Sequence, residues 1–265
     1  MSTIALAAAD SVTMLRRSLL HQLRYPGLTG FVIGIPVVLL LLFVYVFGGT
    51  LGAGLPGGSA GSTDQQYLAY VVPGILLIGV AGIATGASIG IAKDMTEGII
   101  ARFRSMAISR GAVLTGHVLG NTIQGMLCLV AVLAVAMLMG FRPTAGPLGW
   151  LGLAGVFALI CLAISWLSVA LGMVAGSVES ASNLPMFLTL LPFLGSGFVP
   201  TASMPAWLRV FADVQPFTPF IETVRALLFG TDPGLNGWLT LAWCVAIGAG
   251  GWLWARALYV RKSVR

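Results

Sequence analysis

Apolar residues in this chain gather into long runs, and polar residues fill the gaps between them. Six runs read as spans: Leu28 to Phe47, Tyr67 to Ala92, Ala112 to Met139, Leu148 to Val174, Asn183 to about Phe198, and Leu235 to Tyr259. A helix needs about 20 apolar residues to cross the hydrocarbon core of a bilayer. These runs lack the alternation of a membrane barrel strand, and helices satisfy their own backbone polar groups in lipid. The pattern therefore predicts an all-α, polytopic membrane protein with six transmembrane helices, forming one transmembrane domain over residues 1–265.

The gaps carry their own patterns. In the arm of residues 1–27, Val12, Leu15, Leu19 and Leu23 recur at helical spacing, with Arg16, Arg17 and Gln22 largely on other faces. That spacing predicts an amphipathic helix lying in the headgroup plane. In residues 93–110, Ile99, Phe103 and Met106 make one face of a predicted short helix from Asp94 to Ala107. Asp94, Glu97, Arg104 and Ser105 decorate the rest. Its acids come early and its arginines late, as the helix dipole favours.

The segment 199–234 is broken by Pro200, Pro205, Pro216, Pro219 and Pro233. Pro205 suits the first turn of a short helix through Trp207 and Leu208. Gln215-Pro216-Phe217-Thr218-Pro219 interrupts it, and a second apolar stretch runs from Phe220 to Phe229. Neither piece is long enough to span, so two re-entrant half-helices are expected between spans five and six. Irregular backbone at membrane depth must be buried in protein or face water, which puts this segment beside a translocation exit.

Composition agrees with the pattern. Hydrophobic residues make up 58% of the 265 and charged residues 8%, against roughly 25% charged in soluble domains. The net charge of +6 comes from bases beside the apolar runs, and no basic stripe with interleaved aromatics points to nucleic acid. With both termini inside, eleven of the 14 lysines and arginines lie on the cytoplasmic side. Only Arg142, Arg209 and Arg225 fall outside, which sets the orientation in a plasma (inner) membrane. Cys128, Cys161 and Cys244 sit within apolar runs and read as small buried hydrophobes.

The chemistry of the chain is mostly exclusionary. A phosphate-binding loop needs Gly-Lys-Ser/Thr, and Lys93 and Lys262 follow Ala92 and Arg261. No ATP or magnesium is expected to bind in this chain, and any nucleotide must be handled by another subunit. His21 and His117 lie on different elements without metal-ligand spacing. The eight acids fall in predicted loops or flanks, which disfavours ion-coupled transport. An ion-gradient-driven secondary transporter is the alternative reading, and a membrane-anchored assembly subunit a third. His117, Asn121 and Gln124 share one face of the third span. They serve either interhelical hydrogen bonding or a substrate path.

Two stretches carry a resemblance to a known family. One is Glu97-Gly98 with Arg102-Phe103, ending at Ile108-Ser109-Arg110. The other runs from Gly197-Phe198-Val199-Pro200 through Met204-Pro205-Ala206-Trp207-Leu208 and Gln215-Pro216-Phe217-Thr218-Pro219 to Glu222 and Arg225. With six spans in the same order, the chain resembles type-2 ATP-binding-cassette exporter permeases, near the membrane subunits of daunorubicin-resistance exporters. It departs at Ala107, where such permeases usually carry proline. The resemblance implies a dimer of permeases, homodimeric or heterodimeric, each docked on a separate cytoplasmic ATPase. It implies a coupling helix made of Glu97, Ile99, Arg102, Phe103 and Arg104, and export of an amphipathic drug, lipid or glycan.

Overall fold

A computed structural model describes residues 3–24, 26–52, 63–98 and 110–262. Among them every regular element is helical. In chain order they are α1 (Thr3–Arg24), α2 (Pro26–Tyr45), α3 (Gly48–Gly52), α4 (Thr63–Thr96), α5 (Arg110–Leu138) and α6 (Pro147–Val174). Then come α7 (Val178–Asn183), α8 (Met186–Leu190), a 3-10 turn (Thr201–Ser203), α9 (Ala206–Val214), α10 (Phe217–Phe229) and α11 (Gly234–Lys262). Four stretches are long and apolar enough to cross a membrane: Gln65–Thr96, Gly111–Leu138, Pro147–Val174 and Gly234–Tyr259. At a rise of 1.5 Å per residue they are each about 40–50 Å long, more than the hydrocarbon thickness. Val32–Tyr45 is a shorter apolar helix.

Two boundaries differ from the sequence expectation. The second run does not stop at Ala92: α4 continues to Thr96 and ends at Gly98, whose φ of 69° is left-handed. Nothing in Lys93-Asp94-Met95 breaks a helix, and glycine is the natural stop. Asp94 thus belongs to α4 and not to a separate cytoplasmic helix. The remainder of that predicted helix, including Ile99, Arg102, Phe103 and Arg104, lies outside the described residues. So does most of the Gly-rich loop between the first two runs. The fifth run is also not one helix. It comprises the last residue of α7, the five-residue α8 and consecutive turns through residues 191–198. Pro185 and Pro192 each lack the N–H that a continuous helix requires.

The long helices pack around α4, which contacts α2, α5 and α6, while α11 lies along α6. Val71, Val72, Ile75, Leu76 and Leu77 of α4 are buried in the main apolar cluster with Phe157, Phe217 and Phe220. Helix α11 is the least enclosed of the long helices and turns Leu235, Trp238, Val245 and Leu253 outward, as lipid-facing residues do. Small residues allow the closest approaches. A Cβ on Gly251 would meet the backbone of Trp166–Leu167 at 2.6–2.9 Å, and one on Gly74 would meet Gly197 at 2.7–2.9 Å. The three cysteines are buried and unpaired.

The bundle has two distinct ends. At one, Ile91, Leu114, Val118, Met173, Ala255 and Tyr259 cluster from α4, α5, α6 and α11. Helix α1 lies there against the start of α5, with Met14 packed on Ala112 and Val113. At the other end the α5–α6 connection meets α10. The Thr144 and Ala145 amides donate to the Leu228 carbonyl, and Phe141 sits edge-on to Phe229 at 5.9 Å.

Candidate functional site

Among the described residues, each end of the bundle holds an arginine–carboxylate pair that is partly removed from water. At the α1 end the pair is built on Asp94, which the last turn of α4 carries inward until the residue is 6% exposed. Arg17 of α1 approaches with both terminal nitrogens, Nη1 to Oδ2 at 3.0 Å and Nη2 to Oδ1 at 2.9 Å. His117 Nε2 of α5 lies 2.9 Å from Oδ2. A fork-on-carboxylate contact is among the strongest and most directional in proteins. Here it joins the amphipathic arm to α4, while His117 adds α5. Asp94 corrects the expectation that all eight acids lie in loops or flanks. Its charge is matched by a permanent cation, so it is not a carboxylate left open for a transported ion.

The polar stripe on α5 faces protein. Asn121 and Gln124 are each 7% exposed, and His117 is engaged with Asp94. The Asn121 Nδ2 is buried with no hydrogen-bond partner among the described residues. Of the predicted coupling residues only Glu97 is described. It is exposed, just past α4, with Lys93 Nζ 3.7 Å away.

At the opposite end the pair is Glu222–Arg225 on α10. The Arg225 Nη2 also donates to two carbonyl oxygens, of Tyr70 on α4 at 3.2 Å and of Ser196 at 2.9 Å. The guanidinium lies 4.2 Å from the Tyr70 ring centroid, a cation–π contact. One side chain therefore joins α4, the broken fifth segment and α10. Gln215 reinforces this by donating from Nε2 to the Leu191 carbonyl at 3.0 Å. Phe198 is buried and stacks on Phe193 with centroids 4.7 Å apart, while Phe43 of α2 lies 4.5 Å from Phe198.

The remaining predicted exit-side residues divide by role. The Pro200 carbonyl accepts from the Ser203 hydroxyl in the 3-10 turn, Pro205 precedes α9, and Pro216 separates α9 from α10. Pro219 is buried in the first turn of α10, where proline fits. Trp207 is 75% exposed, and Val210, Phe211 and Val214 are exposed with it. Helix α9 thus turns an apolar surface outward, whereas α10 is mostly enclosed. Ser196 was not foreseen, because it binds Arg225 through a backbone carbonyl that any residue would supply; Tyr70, which adds its ring to its carbonyl, lies 155 residues from its partner.

An open cleft of about 600 Å³ lies between the end of α6 and α7–α8, lined by Val174, Ser180, Asn183, Leu184 and Phe187. Its size falls in the range of small-molecule sites, and its walls are mixed apolar and polar.

Long apolar helices braced by internal ion pairs define a polytopic membrane protein. The family model described as ABC-2 type transporter matches residues 11–229, most of the chain, and the chain belongs to that family. Among curated relatives it is 29% identical over 245 residues to the daunorubicin resistance ABC transporter permease protein DrrB1 of Streptomyces coeruleorubidus. That alignment covers 92% of this chain and 83% of the relative. It is 24% identical over 194 residues, 73% of this chain and 69% of the relative, to a protein of Mycobacterium tuberculosis named as a probable doxorubicin resistance ABC transporter permease, DrrC. The resemblance read from the Glu97 and Pro216 regions is thereby confirmed. The chain is the membrane permease of an ABC-2 type transporter, and membership of the family puts ATP hydrolysis on a partner subunit.

Proposed function

We propose that this permease moves an amphipathic molecule (a drug, lipid or glycan) outward across the plasma or inner membrane, energised through residues 93–110 by a cytoplasmic ATPase. The match over residues 11–229 carries this reading, and the drug-resistance names of the relatives support it. The mixed cleft beside α7 suits a cargo with both apolar and polar parts. Six crossings follow if α2, the broken α7–α8 segment and α11 join α4, α5 and α6. Helices α9 and α10 then form the re-entrant pair. The basic residues orient the α1 end, the C-terminus and residue 102 toward the cytoplasm. A second permease, identical or related, completes the complex.

Energy enters at Glu97, Ile99, Arg102, Phe103 and Arg104. Ile99 and Phe103 supply most of the contact, since few residues dominate an interface, and the charges set register. Asp94 stands one helical turn before Gly98, so a push on this segment reaches α1 and α5 through Arg17 and His117. The combined variant Glu97→Lys, Arg102→Glu, Phe103→Ala tests the assignment in cells and in purified complex. Correct membrane insertion with joint loss of substrate-stimulated ATPase activity and export is expected. Normal export by the inserted variant contradicts it.

A further inference from the structure

The cleft between the end of α6 and α7–α8 has a built frame. Ser180, Asn183, Leu184 and Phe187 line it at i, i+3, i+4 and i+7, the spacing of one helical face. Ala181, Pro185 and Leu188 take the opposite face and are buried. Two contacts fix the direction of the lining face. Ser88 Oγ of α4 donates to the Ala181 carbonyl at 2.7 Å, and Ser177 caps α7 by accepting from the Ser180 amide. Val174 and Gly176 form the other side. Met173, one residue before Val174, belongs to the cluster at the α1 end. The cleft therefore opens at the end of the bundle where α4 stops, opposite the Arg225 pair.

The walls select what fits. A volume of about 600 Å³ suits a drug-sized molecule. Val174, Leu184 and Phe187 are all exposed, so an apolar body reaches them without any opening of the protein. The Asn183 amide is exposed and makes no hydrogen bond among the described residues, and it offers both donors and an acceptor. The Ser180 hydroxyl is already engaged with that of Ser177. No lysine, arginine or acid lines the cleft. Nothing there grips a phosphate as an arginine fork does, so a phospholipid headgroup finds no holder. One free amide is too little for a sugar chain, whose many hydroxyls lose water partners on binding. We propose that this cleft takes up the exported molecule at the cytoplasmic end, as a drug-sized amphiphile. Its apolar body rests on Leu184 and Phe187, and an uncharged carbonyl, hydroxyl or amide group pairs with Asn183. This rests on the export reading above and narrows its cargo from drug, lipid or glycan to the first.

The test uses the full complex with its ATPase in lipid nanodiscs of one composition, and daunorubicin as the probe. Two quantities are read: the daunorubicin concentration that half-saturates ATPase stimulation, and the maximal stimulated rate. Asn183→Ala removes the amide and Phe187→Ala the ring. Met186→Ala, exposed but outside the lining, is the control. All three positions are exposed, so folded complex should be recovered in wild-type amount. Asn183→Ala is expected to raise the half-saturating concentration about 3- to 10-fold, the change one hydrogen bond is worth, with the maximal rate kept. Phe187→Ala should raise it at least as much. Daunorubicin should also slow maleimide labelling of Asn183→Cys, the three native cysteines being buried. Unchanged half-saturation in both variants, an equal shift in Met186→Ala, or labelling that daunorubicin does not slow overturns the inference. A fall in maximal rate at unchanged half-saturation also overturns it and marks the cleft as an ATPase contact. Loss of a second permease from the Phe187→Ala complex overturns it too and marks the cleft as a contact between copies. A wild-type complex that daunorubicin does not stimulate, and that exports none, overturns the drug-export reading and removes the inference with it; failure of the variants alone leaves that reading standing.

Discussion

The two arginine–carboxylate pairs stand at opposite ends of the same bundle and are completed in opposite ways. At the α1 end the acid is the buried centre, and two basic side chains from other helices converge on it. At the α10 end the cation is the centre; its acid is three residues away on the same helix, and its other partners are two backbone carbonyls and the Tyr70 ring. The first arrangement satisfies its carboxylate and binds three helices as one body. The second holds α10 to irregular backbone and leaves a donor over among the described residues.

Removing the Asp94 charge should produce the largest loss of stability. Breaking a buried pair from one side costs about 3–5 kcal/mol. Arg17 is 40% exposed in its side chain, which lowers the expected cost of Asp94→Asn to about 2–3 kcal/mol after solvent screening. Thermal unfolding of the purified chain in detergent checks this, with Glu222→Gln as the comparison. Glu222 is the more exposed acid, so a larger loss for Glu222→Gln would reverse the contrast.

A smaller effect is expected at the contact that seats the broken segment on α4. Gly74→Ala places a methyl against the Gly197 backbone, and such overpacking costs about 1–3 kcal/mol. Gly82→Ala on the same helix meets open space and should leave the melting temperature unchanged. Equal behaviour of the two variants would mean that the Gly74–Gly197 approach is not a constraint.

Asn121→Leu should change stability least. The amide nitrogen it removes is already without a partner among the described residues, and an interhelical hydrogen bond in a membrane is worth about 1 kcal/mol or less. Loss of export with unchanged melting would assign Asn121 to the substrate path. Loss of both would assign it to packing.

Much of this architecture was legible in the sequence because apolar runs of spanning length have few other uses. The legibility failed where a local rule was outvoted by its neighbours. Pro185 and Pro192 lie inside an apolar run, so the run reads as a span although its backbone is broken. Ala92 looks like a boundary by hydropathy, yet helix propensity carries α4 to Thr96 and takes Asp94 inside with it. The Arg17–Asp94 tie joins residues 77 positions apart, and no local pattern encodes that distance. At the other end Glu222 and Arg225 were singled out by resemblance, though not as a pair. Ser196 was not, since a backbone acceptor leaves no mark on residue identity, and nor was Tyr70, whose ring meets a guanidinium 155 residues away.

Inverted membrane vesicles carrying the permease and its ATPase test the central claim most directly. In these vesicles the cytoplasmic face is outward, so ATP added outside reaches the ATPase. An amphiphilic drug probe should accumulate inside when ATP is supplied, and without the ATPase subunit should not accumulate beyond the level of vesicles lacking the permease, whatever proton or sodium gradient is imposed. Permease-dependent accumulation driven by an ion gradient in vesicles that lack the ATPase would contradict the account.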